Sequence, residues 1–231
     1  PLTSLFQTTT PSLTTRIDLA LAITNCIRYL HSTNWLHKGL RSHNIIFFAS
    51  PPQSPASSAT TSQPKPDCDL LSPILTGFDY ARPARSEEMT ERPPENPEYD
   101  IYRHPATHSS NPTSSYKKPY DIYSLGVILV EIAHWRPIDQ IIGIEDLAKA
   151  KPEKTRGVQK LLLDTAEGYL DDVAFRVGER YREAVVMCLS GEFGVGGKGL
   201  KDYKEEEHGA RLQAEFYEKV VLKLGGIVTG M

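Results

Sequence analysis

The sequence has few cysteines, no long apolar run and no large excess of charge. Its three cysteines, Cys26, Cys68 and Cys188, lie far apart and form no C-x-x-C pair, which argues against a disulfide framework and indicates a reducing compartment. The longest apolar stretches, 45–49 and 125–130, fall far short of the roughly 20 residues that a membrane span needs. With 26 basic and 29 acidic residues, the chain has no charge excess that would favour nucleic acid. We therefore expect a cytoplasmic protein with no membrane span and no nucleic-acid partner.

The overall composition is that of an ordinary globular chain. Its 231 residues, 39% of them hydrophobic and 24% charged, suffice for one domain with a real core. Residues 50–66 are rich in proline and serine, which predicts a disordered insertion within a single domain that spans 1–231. The polar stretches 82–97 and 107–119 are predicted loops. Because the chain starts at Pro1, we also expect it to be a piece of a longer protein, coupled to an upstream domain.

Apolar residues recur at steps of three and four residues in several segments, which predicts amphipathic helices. These segments are 16–31, 121–135, 155–170, 179–189 and 210–224. Thr15 is the predicted N-cap of the first helix and Asp121 that of the second, which is apolar nearly all round and therefore buried. Short apolar runs at 44–48 and 74–78 predict two strands of a hairpin around the insertion. The expected fold class is mainly α (α+β), with a few short β-strands.

Residues 29–44 read Y-L-H-S-T-N-W-L-H-K-G-L-R-S-H-N and resemble a protein kinase from the end of a long helix through its catalytic loop, H-R-D-L-x-x-x-N. Four residues occupy template positions: His37, Lys38, Leu40 and Asn44. In the template the Asp accepts the substrate hydroxyl proton and the Asn holds a metal ion. Gly39 stands at the Asp position here, so general-base help, typically worth about 100- to 10,000-fold, is missing.

Arg41 stands where kinases carry a phosphate-facing lysine. The resemblance implies that its guanidinium could still bind an anion, and the alternative is an ordinary solvated arginine. His31, His37 and His43 recur every six residues, but no cysteine or carboxylate accompanies them at ligand spacing. We therefore expect no metal site there.

The tripeptide Gly77-Phe78-Asp79 resembles the kinase D-F-G motif with its Gly and Asp exchanged. The position of the metal-binding Asp is then Gly77. Asp79 lies two residues further on, about 6.6 Å along an extended chain, whereas a magnesium ligand must sit at about 2.0 to 2.1 Å. Asp79 could replace the lost carboxylate only in a rebuilt loop.

Residues 120–131, Y-D-I-Y-S-L-G-V-I-L-V-E, resemble the buried central helix of the kinase C-terminal lobe. That likeness includes the Asp that braces the catalytic loop from below, here Asp121, and implies hydrogen bonds from the Lys38–Leu40 backbone. Residues that support the scaffold are thus kept, whereas those that perform the chemistry are lost.

Further similarity at 100–105, 135–137 and 181–195 points to a group of fungal kinase-like proteins. In that group the kinase-like region often follows a prion-inhibition and propagation (HeLo-type) domain associated with heterokaryon incompatibility and regulated cell death. The resemblance implies a kinase-like C-terminal lobe whose small N-lobe is missing.

Two functional hypotheses follow from these motifs. The first is a catalytically impaired kinase-like module, a pseudokinase, that acts by binding a protein partner and needs no cofactor. The alternative is a Ser/Thr protein kinase that binds ATP and Mg through Asn44 and Asp79, with an N-lobe outside this chain. A third, simpler hypothesis is an incomplete gene product with no role of its own.

Overall fold

Helices form most of the structure, a computed structural model that describes residues 1–8, 10–48, 68–84, 95–108, 116–194 and 205–230. The helices are α1 Leu2–Leu5, α2 Leu13–Ser32, α3 Pro97–Asp100, α4 Lys118–His134, α5 Ile138–Ile141, α6 Pro152–Arg156, α7 Val158–Leu163, α8 Tyr169–Val177, α9 Glu179–Ser190, α10 Glu205–Phe216 and α11 Leu222–Val228. The strands are β1 Trp35–Leu36, β2 Ile45–Ile46, β3 Ile74–Leu75 and β4 Arg82–Pro83. The described part of the chain is therefore mainly α with a few short strands, as the sequence predicted.

The core is organised around α4, in which every residue from Asp121 to Ala133 is buried. This confirms the burial that the apolar sequence predicted. Helix α9 packs against α4, and the two approach closely at Gly126, where an added Cβ would lie 2.9 Å from Cys188 Cβ. The Tyr181 hydroxyl on α9 donates a hydrogen bond to the Leu129 carbonyl at 2.9 Å. These contacts hold α4 in place. Asp121, near the start of α4, contacts the loop of residues 37–44.

Two predicted helix starts are wrong. Helix α2 begins at Leu13 because Ser12 is its cap, the Ser12 Oγ accepting a hydrogen bond from the Thr15 backbone N–H at 3.2 Å. Helix α4 begins at Lys118 with Pro119 in its first turn, a position that suits proline. Asp121 therefore lies inside the helix and does not cap it.

The C-terminal half is more interrupted than periodicity predicted. The single helix expected over 155–170 is wrong, because the chain breaks at Gly157 between α6 and α7 and again before α8 at Gly168, whose φ is 73°. Helix α9 confirms the segment predicted over 179–189. Between α10 and α11 the chain makes a π-helical turn, Tyr217–Val221, so the helical run predicted over 210–224 is correct in place but extends beyond both predicted ends.

The predicted hairpin is confirmed in part. Strands β2 and β3 pair antiparallel, with Ile45 opposite Leu75 and Ile46 opposite Ile74, but each is only two residues long. The segment between them that was predicted to be disordered, 50–66, lies outside the described residues. Strand β4 pairs antiparallel with β1 inside a stretch predicted as a loop, since Pro83 and its polar neighbours give no strand pattern.

Candidate functional site

Asp121 anchors the loop that follows β1. Its carboxylate accepts hydrogen bonds from the backbone N–H groups of His37 at 2.8 Å and Lys38 at 2.9 Å. His31 Nε2 donates to it at 3.1 Å and the Tyr116 hydroxyl at 2.9 Å. The expected hydrogen bonds between Asp121 and the loop backbone are therefore present. They come from the N–H groups of His37 and Lys38, and not from the whole Lys38–Leu40 backbone. They hold Lys38, a residue with a side chain, at a φ of 65°.

Two of these partners, His31 and His37, also favour the ionised form of Asp121. Burial by itself raises the pKa of this carboxyl, but the hydrogen bond and charge of His31 and the His37 backbone N–H lower it overall. Asp121 is fully buried, so a carboxylate without these donors would be costly. The loop and the helix therefore stabilise each other through one ionised group.

His37 joins the loop to the segment that carries Gly77. Its Nε2 donates to the Thr76 carbonyl at 2.9 Å, its Nδ1 accepts from the Gly39 N–H at 3.3 Å, and its ring lies 4.7 Å from that of Phe78 between centroids. The side chain is fully buried, and this burial lowers its pKa. His37 is thus a neutral, structural histidine with its proton on Nε2.

Gly39 and Gly77 differ in the space that surrounds them. A Cβ at Gly39 would meet ordinary contacts, the nearest being the Gly77 carbonyl oxygen at 3.6 Å. At Gly77, where φ is 81°, a Cβ would lie 2.8 Å from Asn44 Oδ1 and closer still to the amide carbon and nitrogen. The Asn44 amide is held there because its Nδ2 donates to the Gly39 carbonyl at 2.7 Å. The structure therefore has room for a Cβ at position 39 and none at position 77.

One cavity of about 160 Å³ brings most of the predicted site residues together. Its wall includes Lys38, Gly39, Arg41, Asn44, Gly77 and Asp79. His37, Phe78 and Asp121 support this wall from outside the cavity. Among the residues that the structure describes, no group of three or more His, Cys, Asp or Glu side chains could hold a metal ion. The predicted cofactor residues Asn44 and Asp79 line this same cavity.

A second wall of the cavity was missed by the sequence analysis. It is formed by Tyr99, Tyr102, Arg103 and Tyr116. The Arg41 guanidinium stacks over the Tyr99 ring at 3.8 Å from its centroid. The cluster of tyrosine and arginine at 99–103 was a signal in the sequence, but nothing in it indicated which loop it would face.

A buried hydrogen-bond chain holds this second wall in place. The Tyr102 hydroxyl donates to Glu131 Oε1 at 2.6 Å and lies 2.8 Å from Ser42 Oγ, and the Ile138 N–H donates to the same Glu131 oxygen at 2.8 Å. Burial raises the pKa of Glu131 to about 8, so this carboxyl is protonated at neutral pH. These hydrogen bonds connect the cavity wall to Glu131 in the last turn of α4.

Comparisons with known proteins place the chain in a family without assigning it an activity. No helix in the described ranges is long and apolar enough to cross a membrane. No curated protein matches the sequence. A family model matches residues 3–226, nearly the whole chain. The protein therefore belongs to the family described as "Domain of unknown function (DUF7580)".

Proposed function

We propose that the protein is a kinase-like module that does not transfer phosphate and acts by binding a protein partner. The observation that carries this proposal is the position of Asn44, whose amide occupies the space that a side chain at Gly77 would need. A kinase requires a metal-binding carboxylate at the corresponding position. By this argument neither that carboxylate nor a simple substitution that restores it is compatible with the loop.

The lost general base supports the same conclusion. Gly39 faces the cavity without any side chain that could accept a proton, and His37 is occupied on both ring nitrogens. The bracing of the loop by Asp121 is nevertheless intact. A loop that is braced but lacks a general base fits a module retained for its surface. The resemblance alone suggests fungal incompatibility or cell-death signalling as its setting.

The proposal is tested by a thermal melt of the chain with and without millimolar ATP and Mg, together with a phosphotransfer assay using labelled ATP. A ligand at 100 times its Kd stabilises a fold by about 2.7 kcal/mol, which would raise the Tm by about 5 °C or more. We expect a cooperative melt without a magnesium-dependent shift, and no labelled product. Label transfer by the wild-type chain that is lost in Asp79→Ala would overturn the proposal.

One observation favours the alternative of a Ser/Thr kinase that uses a displaced carboxylate. Asp79 is exposed and lines the same cavity as Asn44. In that case ATP and Mg would be held with the help of an N-lobe outside this chain. Replacing Asp79 would then abolish the kinase activity. The Asp79→Ala variant therefore distinguishes the two functions.

A further inference from the structure

Charges of opposite sign are segregated on two consecutive segments of the C-terminal half. Residues 149–160, which include α6 and the start of α7, carry five basic side chains and one acidic side chain, although the whole chain has a net charge of -3. Residues 164–172, which lead into α8, carry four acidic side chains and no basic one. We call these segments the basic half and the acidic half. The boundary between them is sharp, because Lys160 and Asp164 are adjacent charged residues only one helical turn apart in the sequence.

Three cations of the basic half are exposed and form no ion pair within the described part of the chain. They are Lys151, Lys154 and Lys160. The other two cations are already paired. Lys149 pairs with Asp146 at 2.7 Å, and Arg156 pairs with Glu95 at 2.9 Å. One exposed carboxylate, Glu153, lies among the lysines. The basic half therefore keeps an excess of positive charge that no ion pair among the described residues neutralises.

Three carboxylates of the acidic half are likewise exposed and form no ion pair in the described ranges. They are Asp164, Glu167 and Asp171. The fourth carboxylate, Asp172, pairs with Arg176 at 2.9 Å. The charge of Asp171 acts on Arg182, but that arginine is held by Glu179 at 2.8 Å. The cations beside the acidic half are thus occupied, and its three unpaired carboxylates stay available to another molecule.

The two halves are presented by neighbouring, well-packed helices. Helices α6 and α7 contact each other, as do α7 and α8, and both α7 and α8 pack against α9. Five buried side chains anchor the three helices, namely Thr155, Val158, Leu162, Val173 and Val177. Because these side chains face the core, the unpaired charges lie on the solvent side of the same group of helices.

An exposed aromatic ring adjoins the acidic half. Phe175 is 89% exposed, more than any other large apolar side chain in the described ranges. On α8 it lies one turn after Asp171, since residues four apart share a helix face. The aliphatic stems of lysine side chains can cover such a ring while their charged ends reach a carboxylate. Phe175 therefore adds an apolar anchor to the charged surface, and aromatic residues are enriched at protein interfaces.

We infer that this surface joins two copies of the chain in a two-fold symmetric dimer, with the basic half of each copy against the acidic half of the other. A two-fold interface uses the same patch on both copies, so the patch must be complementary to itself. Adjoining halves of opposite charge meet this requirement when the symmetry axis passes near the boundary between Lys160 and Asp164. The inference goes beyond the proposed function, because a module that binds another protein need not bind itself.

Sedimentation equilibrium of the purified chain at low salt tests the dimer. The apparent mass should rise with concentration from 25.8 kDa towards twice that value and stop there. Because exposed charges are screened over about 8 Å at 0.15 M salt and over shorter distances at higher salt, added NaCl should shift the equilibrium towards the monomer. A chain that stays monomeric at high micromolar concentration, or that forms assemblies larger than a dimer, would overturn the inference.

Charge-reversal variants test whether the two halves meet. The double variant Lys154→Glu, Lys160→Glu makes both halves acidic, and the double variant Asp164→Lys, Glu167→Lys makes both basic. Each alone should be monomeric, because like charges then face each other. An equimolar mixture should form a heterodimer, a result that a foreign partner cannot explain. If both variants melt cooperatively like the wild type and stay monomeric when mixed, the proposed pairing is wrong.

The anchor is tested separately by Phe175→Ala, which should weaken dimerisation by about tenfold or more, as truncation of an interface anchor usually does. Its matched control is Phe48→Ala, which removes another exposed phenylalanine, just after β2. The control for charge is Lys117→Glu, which reverses an exposed cation at the start of α4. Both controls should dimerise like the wild type. Equal losses in the controls and in Phe175→Ala would contradict this interface.

Discussion

The side chain of Asn44 fills the space beside the α-carbon of Gly77. A Cβ built on Gly77 would lie 2.8 Å from Asn44 Oδ1, and the backbone there has a φ of 81°, which residues with a side chain rarely adopt. Gly39, whose carbonyl oxygen accepts a hydrogen bond from the same amide, has neither restriction. Position 77 therefore requires a glycine, whereas position 39 does not.

This contrast predicts unequal effects of the same substitution. Gly77→Ala should destabilise the fold by about 2 kcal/mol or more, because it combines backbone strain with a collision against Asn44. Gly39→Ala should change stability by about 0.5 kcal/mol or less. Urea denaturation of both variants measures the difference. Similar midpoints for the two would show that the Asn44 amide moves aside freely.

Asp121→Asn is expected to be one of the most destabilising single changes in the chain. The variant keeps the shape but replaces a carboxylate oxygen by an NH₂ group that faces other donors, at a cost of about 3 to 5 kcal/mol. The pH dependence supplies a second readout. Because the folded-state pKa of Asp121 is lowered, its contribution is present above the ordinary pKa of about 3.8 and is lost as the pH falls through the folded value.

Denaturation of the wild type and Asp121→Asn between pH 3 and pH 7 measures this contribution. The difference in unfolding free energy between them should shrink at the acid end of the range. A difference that stays constant with pH would mean that Asp121 is not ionised in the folded protein.

Glu131 is expected to act in the opposite direction. Its folded-state pKa is raised to about 8 from an ordinary 4.5 by burial, so its neutral form stabilises the fold fully below pH 4.5 and this contribution is lost as the pH rises to about 8. Glu131→Gln imitates the neutral acid, with its carbonyl still able to accept from Tyr102 and Ile138. The variant should therefore gain stability relative to the wild type between pH 5 and pH 9.

Stability curves at several pH values check this prediction, and the exposed Glu145→Gln is the control. Histidines such as His134, whose pKa is lowered to about 4 by burial, also add pH dependence, so the informative quantity is the difference between variant and wild type. A flat difference for Glu131→Gln would contradict the assignment of a neutral buried acid.

The three thiols should react at different stages of unfolding. Cys188 is buried between α9 and α4, and burial raises its pKa, whereas Cys26 and Cys68 are partly exposed. In the folded protein, iodoacetamide should modify Cys26 and Cys68 and spare Cys188, as measured by mass spectrometry of peptides. Modification of Cys188 at the rate of Cys26 would show that α4 and α9 separate in the native state.

Local sequence patterns predicted the elements whose formation depends on the order of apolar and polar residues within one segment. The apolar stretch over 122–133 predicted a buried helix because burial on all sides leaves no polar face, and the hairpin of β2 and β3 followed from two apolar runs. The cap of α2 was misplaced by one turn, since Ser12 and Thr15 are equally suitable cap residues and only the backbone of Ser12 takes the cap conformation.

The candidate site was predictable on one side only. Motifs identified residues 37–44 and residues 77–79, because each of these segments is a continuous stretch of sequence. The stacking of Arg41 on Tyr99 and the burial of Glu131 beneath Tyr102 arise from tertiary packing between distant segments. No periodicity or spacing encodes such a contact, so the chemistry of the second wall could be found only in the structure.

The burial of residues 121–133 in α4 makes their backbone amide hydrogens a measure of the stability of the whole fold. Residues 121–133 lie inside the core on every side, so their N–H groups exchange with deuterium only when the entire core opens. Their exchange rate then reports the global unfolding free energy under native conditions, without denaturant. A ligand that binds the folded chain at a distant surface would slow exchange along this helix by the same factor at every residue, whichever loop it contacts.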